Sequence, residues 1–150
     1  MYTYQLKRAL KKHHKTRSVY GGVFARDKIP IPPRGRRLAY IVNTDPSHKP
    51  GQHWVAFFIT RDTVYYFDPY GLPPRGFKNV LHCRKQHVYY GKRLQGIGNV
   101  CGHYCLYFIL SMQTKHSFNV FSDDLNTNDH IVKRFVEKRF DVRRSTFGVR

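Results

Sequence analysis

The sequence of 150 residues lacks the marks of membrane and secreted proteins. Its apolar stretches, around Val55 to Ile59 and Leu106 to Leu110, are far shorter than the roughly 18 residues of a membrane span. The first fifteen residues, MYTYQLKRALKKHHK, contain no apolar core of a secretory signal. Three cysteines are too few for a disulfide scaffold and are typical of a reducing compartment. We therefore expect an intracellular protein with no membrane partner.

Acidic residues are also scarce, because 9 Asp and Glu stand against 27 Lys and Arg and leave a net charge of +18. Such an imbalance is typical of proteins that bind polyanions. The 11 Tyr, 11 Phe and one Trp supply enough apolar surface for a folded core, which excludes intrinsic disorder. The cations concentrate in segments 7–17, 34–37 and 133–144, and we expect these to bind DNA without sequence preference. The alternative is that the charge serves only solubility.

The pattern of apolar residues predicts one domain over residues 1–150. Strands followed by helices favour an α+β fold, and a hairpin that is apolar on both faces requires a mixed sheet packed between helices. Residues 80–90 are ambiguous, with some preference for β structure. Thr127 and Asn128 can cap the last helix. The predicted elements are a basic amphipathic helix within 1–17, ended by Gly21-Gly22, strands at 38–43, 53–59 and 64–67, and helices at 101–114 and 127–141.

The predicted hairpin places a histidine near an aspartate. If the turn is centred on residues 61–62, opposed residue numbers sum to 123, and Val55 lies opposite Asp68. Since side chains alternate along a strand, His53, Val55 and Asp68 share one face at the open end of the hairpin. A carboxylate there can accept the imidazole N–H, fix its tautomer and favour the imidazolium. A lone histidine is more often structural, so this pair is a hypothesis that needs a third group.

A cysteine at the start of an apolar helix supplies that group. Cys101 precedes Gly102 and the helical stripe, and the helix dipole and free N–H groups lower the pKa of a thiol at this position. The thiolate is the nucleophilic form, and the same N–H groups can stabilise an oxyanion. Gly102 permits a substrate to approach the backbone closely. The alternative is a buried cysteine that acts as a small apolar residue, which we prefer for Cys105.

Three motifs in this order resemble the adenovirus-type endopeptidase (adenain) family, whose clan of cysteine proteases includes the SUMO-specific proteases. The resemblance extends over about residues 18–110 and includes two further segments of the N-terminal half. A His-Trp pair, an acid-Pro-aromatic-Gly turn and a Gln shortly before Cys-Gly are specific as a set, although each alone would be weak. The segments are GQHWVAFF (51–58), YYFDPYG (65–71), LQGIGNVCGHYC (94–105), VFARDKIP (23–30) and LAYIVNT (38–44).

The resemblance implies a role for each matched residue. Cys101 matches the nucleophile, His53 its general base and later general acid, and Asp68 the acid that orients His53. Gln95 matches the side-chain donor of the oxyanion hole, with the Cys101 backbone N–H as its partner. Two positions depart from the adenovirus enzymes, which carry Glu in place of Asp68 and have one more residue between Gln95 and Cys101. Both departures are similar to SUMO proteases and indicate a divergent virus or a virus-like mobile element.

The resemblance also implies the biological setting. It implies a monomeric cysteine endopeptidase without a metal, which cleaves viral precursor polypeptides at Gly-containing sites during virion maturation and is stimulated by DNA. The expected location is the virion and the host nucleus. Trp54 is expected to line the substrate groove together with Gly102; the alternative for Trp54 is a core aromatic on the far face of the sheet.

Cys83 is the third cysteine with an implied role. It lies 18 residues before Cys101, the interval at which adenovirus enzymes form a disulfide with a short activating viral peptide that adds to the sheet edge. We expect the charges of Arg84, Lys85 and Lys92 to lower the pKa of the Cys83 thiol and favour exchange. The alternative is an incidental exposed cysteine.

Three rival functions remain open at this point. A deubiquitinase or deSUMOylase of the same clan would also cleave after Gly-Gly, and a non-enzymatic basic protein could bind or package nucleic acid. A zinc site is the third rival. It lacks a CxxC pair and would need two ligands from one helix face, which argues against it. Its candidate ligands are His82, Cys83, His87, Cys101, His103 and Cys105.

Overall fold

The computed structural model describes residues 1–49, 53–115 and 117–140. Within these residues, no helix is both long and apolar enough to cross a bilayer. Short 3₁₀ turns lie at Arg17–Val19, Arg26–Lys28 and Phe118–Val120. The helices are α1 (Thr3–Lys12), α2 (Lys78–Leu81), α3 (Cys101–Thr114) and α4 (Leu125–Arg139), and the strands are β1 (Tyr20–Phe24), β2 (Leu38–Asn43), β3 (Trp54–Ile59), β4 (Thr63–Phe67) and β5 (Gln86–Tyr90).

The five strands form one mixed sheet in the order β1-β2-β3-β4-β5. The central pairs β2–β3 and β3–β4 are antiparallel, and the outer pairs β1–β2 and β4–β5 are parallel. In the β3–β4 hairpin, Phe57 pairs with Tyr66 and Phe58 with Tyr65. These partners sum to 123, so the predicted register is confirmed. A one-residue slip would have exchanged the two faces of both strands.

Helices cover both faces of the sheet, which confirms the predicted α+β class and its layering. On one face, α1, α3 and α4 enclose a core that includes Ala56 and Phe58 of β3, and Phe67 of β4 stacks on Phe108 with ring centroids 4.8 Å apart. On the other face, Val55 and Phe57 pack in a second core with residues of and next to α2. Every residue of β3 is therefore buried. Burial on both faces explains why the sequence of β3 is apolar throughout and does not alternate in polarity.

One element differs from the sequence-based expectations, and one ambiguous segment is now defined. Gly21-Gly22 does not end the N-terminal segment, because both residues lie inside β1, beside β2. A Cβ at Gly21 would lie 2.4 Å from the Tyr40 ring, so only glycine allows this close approach. The ambiguous segment 80–90 contains the end of α2, a turn, and the edge strand β5.

The last helix begins earlier than predicted. The cap is Asp124, whose side chain accepts a hydrogen bond from the Thr127 backbone N–H, and α4 starts at Leu125. Thr127 and Asn128, which we expected to be the caps, lie inside the first turn, because Asp is an equally good cap and stands at the helix start. The predicted last residue of this helix, at position 141, lies outside the described residues.

Candidate active site

Three elements bring the predicted residues to one edge of the sheet. His53 directly precedes β3 and Asp68 directly follows β4. Since the two strands are antiparallel neighbours, the start of one and the end of the other meet at the same edge. Helix α3 packs against β3, and its first residue is Cys101. The apolar α3, which is buried over most of its length, thus fixes the position of the thiol relative to the hairpin.

His53 connects the other two side chains. Its Nε2 lies 2.7 Å from Asp68 Oδ1, and its side chain also hydrogen-bonds the thiol of Cys101. Asp68 Oδ1 accepts a second hydrogen bond, of 2.8 Å, from the Tyr70 backbone N–H. The Asp68 contact leaves Nδ1 as the ring nitrogen available to sulfur. The order sulfur, imidazole, carboxylate is the arrangement in which a base activates a nucleophile and an acid orients the base.

The electrostatics favour a thiolate–imidazolium pair. Burial disfavours charge on His53, but the hydrogen bonds with Asp68 and Cys101 outweigh it and raise the pKa of His53 to about 9. Burial likewise opposes ionisation of Cys101, yet the hydrogen bond and charge of His53, followed by the Trp54 backbone N–H, lower the pKa of the thiol. Because the thiolate is the nucleophile, both shifts increase the reactive population near neutral pH.

Trp54 and Gly102 both lie against residues at the N-terminus of the chain. The Trp54 side chain is buried in the core beneath α3, and its Nε1–H donates to the Met1 carbonyl at 3.1 Å. A Cβ at Gly102 would lie 3.3 Å from the Met1 Cβ and 3.2 Å from Leu6. The indole therefore lies on the face of the sheet that carries α1 and α3, in the same core as Cys101, and its N–H is used within the chain. A role of Trp54 and Gly102 in substrate binding stays a prediction.

Two residues that the sequence analysis did not single out complete the surroundings of His53. The Tyr70 ring stacks on the His53 imidazole, with ring centroids 4.6 Å apart. The Arg93 guanidinium lies over the Tyr70 ring, 5.1 Å from its centroid. Tyr70 was part of the matched motif YYFDPYG, so the motif could have identified it. Arg93 carried no signal in the sequence. Stacking on Tyr70 restricts rotation of the His53 ring.

Gln95 lies in the loop that leads to α3. Its side chain is buried, and Nε2 donates to the Gly98 carbonyl at 2.7 Å. This contact fixes which end of the Gln95 amide is nitrogen, because a flipped amide would place Oε1 against the Gly98 carbonyl oxygen, and both are acceptors. Oε1 has no hydrogen-bond partner within the part of the chain that is described. Among residues 1–49, 53–115 and 117–140, Gly98 is the one acceptor of Nε2, which leaves its second N–H as a donor.

The other two cysteines differ from Cys101. Cys105 is fully buried in the core, and burial raises its pKa, as expected for a small apolar residue. Cys83 lies in the turn before β5, packs partly against the second core, and is not a residue of the edge strand. Burial raises its pKa more strongly than Arg84 lowers it, which corrects the expected direction. The disulfide with an activating peptide stays a prediction.

The zinc alternative finds no support in the geometry. In the described ranges, no three His, Cys, Asp or Glu side chains converge as metal ligands. His103 is buried with Nδ1 unpaired among the described residues, and burial lowers its pKa to about 3. His82 and His87 stack on each other near Cys83, with ring centroids 6.5 Å apart, in a different region of the sheet. The six candidate ligands are therefore divided among separate sites.

Comparison with known proteins gives a structural likeness. No family model matches the chain, and no curated protein matches it. A crystal structure of the ASFV pS273R protease aligns with a TM-score of 0.49 and 24% identity, over 69% of this chain and 43% of that one. A selenomethionine crystal structure of the same protease gives 0.49 and 22%, over 69% and 44%. The chain thus spans less than half the length of that viral protein.

Proposed function

We propose that this chain is a viral cysteine endopeptidase that cleaves precursor polypeptides at Gly-containing sites. The observation that carries the proposal is the chain of hydrogen bonds from Cys101 through His53 to Asp68, with the thiol at the N-terminus of α3. Its electrostatics favour an ionised thiol, which is the form that attacks carbonyl carbon. The viral setting and the preference for glycine rest on the three motifs that resemble the adenain family.

The proposed reaction has two halves. The Cys101 thiolate attacks the scissile carbonyl carbon, and the carbonyl electron pair moves to oxygen to give a tetrahedral oxyanion. As the oxyanion collapses, the peptide C–N bond breaks and protonated His53 gives its proton to the leaving amine. A thioester on Cys101 remains. Neutral His53 then takes a proton from water, hydroxide attacks the thioester, and the carboxylic product leaves with Cys101 as thiolate.

The oxyanion requires hydrogen-bond donors that stabilise the negative charge formed on the carbonyl oxygen when the thiolate attacks. The free Nε2–H of Gln95 and the backbone N–H of Cys101 are the proposed pair, since both belong to the approach to α3 and its first residue. The unpaired N–H groups of the helix N-terminus add to the positive potential there. Preorganised donors of this kind stabilise the transition state more than the ground state.

A panel of peptides tests the proposal. We expect wild-type protein to cleave peptides that contain Gly-Gly and to leave peptides with bulky residues at those positions intact. Prior alkylation of the thiols should abolish cleavage. Cleavage only of ubiquitin or SUMO fusions, and of no short peptide, would favour the clan alternative. Nucleic-acid binding without any peptide cleavage would contradict the enzymatic proposal and favour a packaging protein.

The Asp68→Asn variant tests the protonation states. His53 must be protonated to serve the leaving amine, so activity falls as pH rises through its pKa, near 9 in the wild type. Loss of the Asp68 charge removes a contribution that raises this pKa, so the alkaline limb should move to lower pH. The measurement is kcat/KM from pH 5 to 10, with exposed Asp62→Asn as the control. An unmoved limb, or one that moves to higher pH, would contradict the orienting role.

The arrangement of the cations supports DNA as a partner. Gln113, near the end of α3, accepts a 3.3 Å hydrogen bond from Arg37 and donates one of 3.0 Å to the Lys15 carbonyl. The His13 ring, at the end of α1, lies 4.8 Å from the Phe140 ring, at the end of α4. All three basic segments therefore approach one end of α3. Residues 141–144 of the third segment lie outside the described residues.

This basic end is remote from Cys101. Helix α3 has 14 residues, so its two ends are about 20 Å apart. The cations there are exposed, and the described ion pairs, His53–Asp68 and Lys92–Asp123, involve none of the three basic segments. A polyanion at this end would leave the thiol accessible to a polypeptide. The proposal therefore includes DNA that stimulates cleavage by holding enzyme and substrate on one polymer.

Salt dependence gives the expected result for DNA. Each phosphate contact releases counterions, so log K for duplex DNA should fall with log salt at a slope of about −0.9 per contact. Replacing Lys11, Lys12 and Lys15 together by Gln should reduce the slope and leave basal peptide cleavage unchanged. The measurement is fluorescence anisotropy with two unrelated duplexes. Affinity that is independent of salt, or that differs strongly between the duplexes, would contradict this part of the proposal.

A further inference from the structure

A buried carboxylate outside the predicted site lies behind the loop that carries Gln95. We propose that Asp129, on α4, is a positioning residue that holds loop 94–98 and thereby aims the Gln95 side chain. Asp129 was not a candidate in the sequence, because it follows Cys101 by 28 residues on an ordinary amphipathic helix. This inference deepens the proposed function and rests on it for its catalytic part.

Asp129 accepts three hydrogen bonds on its two oxygens. Oδ1 lies 3.0 Å from the Gly96 backbone nitrogen and 2.8 Å from the Tyr104 hydroxyl, and Oδ2 lies 2.9 Å from the Gly98 backbone nitrogen. No cationic side chain forms an ion pair with this carboxylate in the described ranges. A buried charge that is compensated only by donors needs all of them. The loop N–H groups and Asp129 therefore hold one another in place.

The two glycines allow the loop to approach the carboxylate this closely. A Cβ on Gly98 would lie 2.7 Å from Asp129 Oδ2, and one on Gly96 would lie 2.4 Å from the Asn126 side-chain oxygen. The contact at Gly98 would push the loop and the buried carboxylate apart, whereas the contact at Gly96 falls on the end of an exposed side chain. The Gly98 carbonyl is the group that accepts from Gln95 Nε2. Asp129 thus fixes the peptide unit whose nitrogen it binds, and the carbonyl of the same residue orients the Gln95 amide.

The start of the loop is tied to the catalytic elements by other bonds. The backbone nitrogens of Leu94 and Gln95 donate to the Pro69 carbonyl, next to Asp68, at 2.9 and 3.0 Å. Tyr104 lies one helical turn after Cys101, and its hydroxyl, whose one proton Asp129 accepts, also lies 3.1 Å from the Leu94 carbonyl. That carbonyl accepts a hydrogen bond of 3.1 Å from Asn128 Nδ2 of α4. The loop is therefore held between the end of β4, the first turn of α3, and α4. Asp129 holds the other end of this loop, through its hydrogen bond with the Gly98 backbone nitrogen.

The Asp129→Asn variant tests the inference because it keeps size and removes the second acceptor. The new amide nitrogen would replace one of the two oxygens and would face the Gly96 or the Gly98 N–H, which is also a donor. One hydrogen bond to the loop is then lost, and two donors repel each other. We expect kcat to fall about tenfold with KM nearly unchanged, because Gln95 acts mainly in the transition state. Amide exchange at Gly96 and Gly98 should accelerate at least about tenfold, since opening of the loop exposes both groups.

A double-variant comparison separates positioning from a merely structural effect. If Asp129 acts through Gln95, the Asp129→Asn, Gln95→Ala protein should be no slower than Gln95→Ala alone. Asp124→Asn is the matched control, because it makes the same charge change on α4 at an exposed cap where Asn is equally good. Tyr104→Phe is a second variant that removes one donor and keeps the ring, and we expect about a threefold loss of kcat.

Each outcome decides a separate claim. Unchanged exchange at Gly96 and Gly98 in Asp129→Asn would overturn the hold on the loop, and independent, multiplying losses in the double variant would overturn action through Gln95. If Asp129→Asn does not fold, Tyr104→Phe provides the same two readouts. If the wild type cleaves no peptide, the proposed function fails, while the exchange measurement still decides whether Asp129 holds the loop.

Discussion

Replacing Cys101 or His53 by Ala is expected to abolish peptide cleavage in a chain that remains folded. The thiol forms the bond to the substrate, so Cys101→Ala leaves no nucleophile. His53→Ala removes both the group that keeps the thiol ionised and the acid for the leaving amine. We expect each loss to exceed about a thousandfold, the scale on which removal of a nucleophile or its base acts.

Matched variants show whether the effect is specific. His82 is an exposed histidine and Cys105 a buried thiol of α3, so His82→Ala and Cys105→Ala should retain activity where the protein folds. Circular dichroism and urea unfolding monitor the fold. His53→Ala should also lower the free energy of unfolding by about 1 to 3 kcal/mol, because Asp68 loses a buried partner. Residual cleavage above about one part in a thousand in Cys101→Ala would contradict its role as nucleophile.

Gln95→Ala is expected to lower kcat roughly 100-fold while KM changes little. The Gln95 amide offers its free N–H to negative charge that appears only after attack, so the loss belongs to the transition state. Steady-state kinetics on one Gly-Gly peptide separates kcat from KM. Gln113→Ala, on the far end of α3, is the control for removing a glutamine amide from this protein.

The opposite pattern would change the role of Gln95. A raised KM with unchanged kcat would mean that the side chain binds substrate in the ground state. The buried and unpaired Oε1 would then be the group to examine, as an acceptor for a substrate N–H. Full activity in Gln95→Ala would remove the side chain from the oxyanion hole and leave the backbone N–H groups there.

Local patterns in the sequence were sufficient for the hairpin register and for the positions of His53, Asp68 and Cys101 in the fold. The register follows from a short turn and from side-chain alternation, and it placed Asp68 beside His53 without reference to any other protein. The start of α3 at Cys101 follows from an apolar stripe that begins directly after a glycine-containing loop. Both signals come from residues near in sequence, where a few dihedral angles fix the geometry.

Long-range contacts were beyond such patterns. β1 contains Gly21 because Tyr40 occupies the space beside it, and Gly22 because its φ is positive and the Phe24 ring lies against it. Only the folded sheet makes these reasons visible. Asp129 resembles any polar residue of a surface helix until α4 packs against loop 94–98. The expected low pKa of Cys83 was wrong because neighbouring cations in the sequence count for less than burial of the thiol.

The central claim is that Cys101 is an ionised nucleophile paired with His53, and the rates of thiol alkylation test it most directly. At pH 6, iodoacetamide with peptide mapping should modify Cys101 at least about tenfold faster than the more exposed Cys83, because only the thiolate reacts. In His53→Ala this preference should disappear. Modification of Cys83 before Cys101 in the wild type, or an unchanged rate at Cys101 in His53→Ala, would contradict the account.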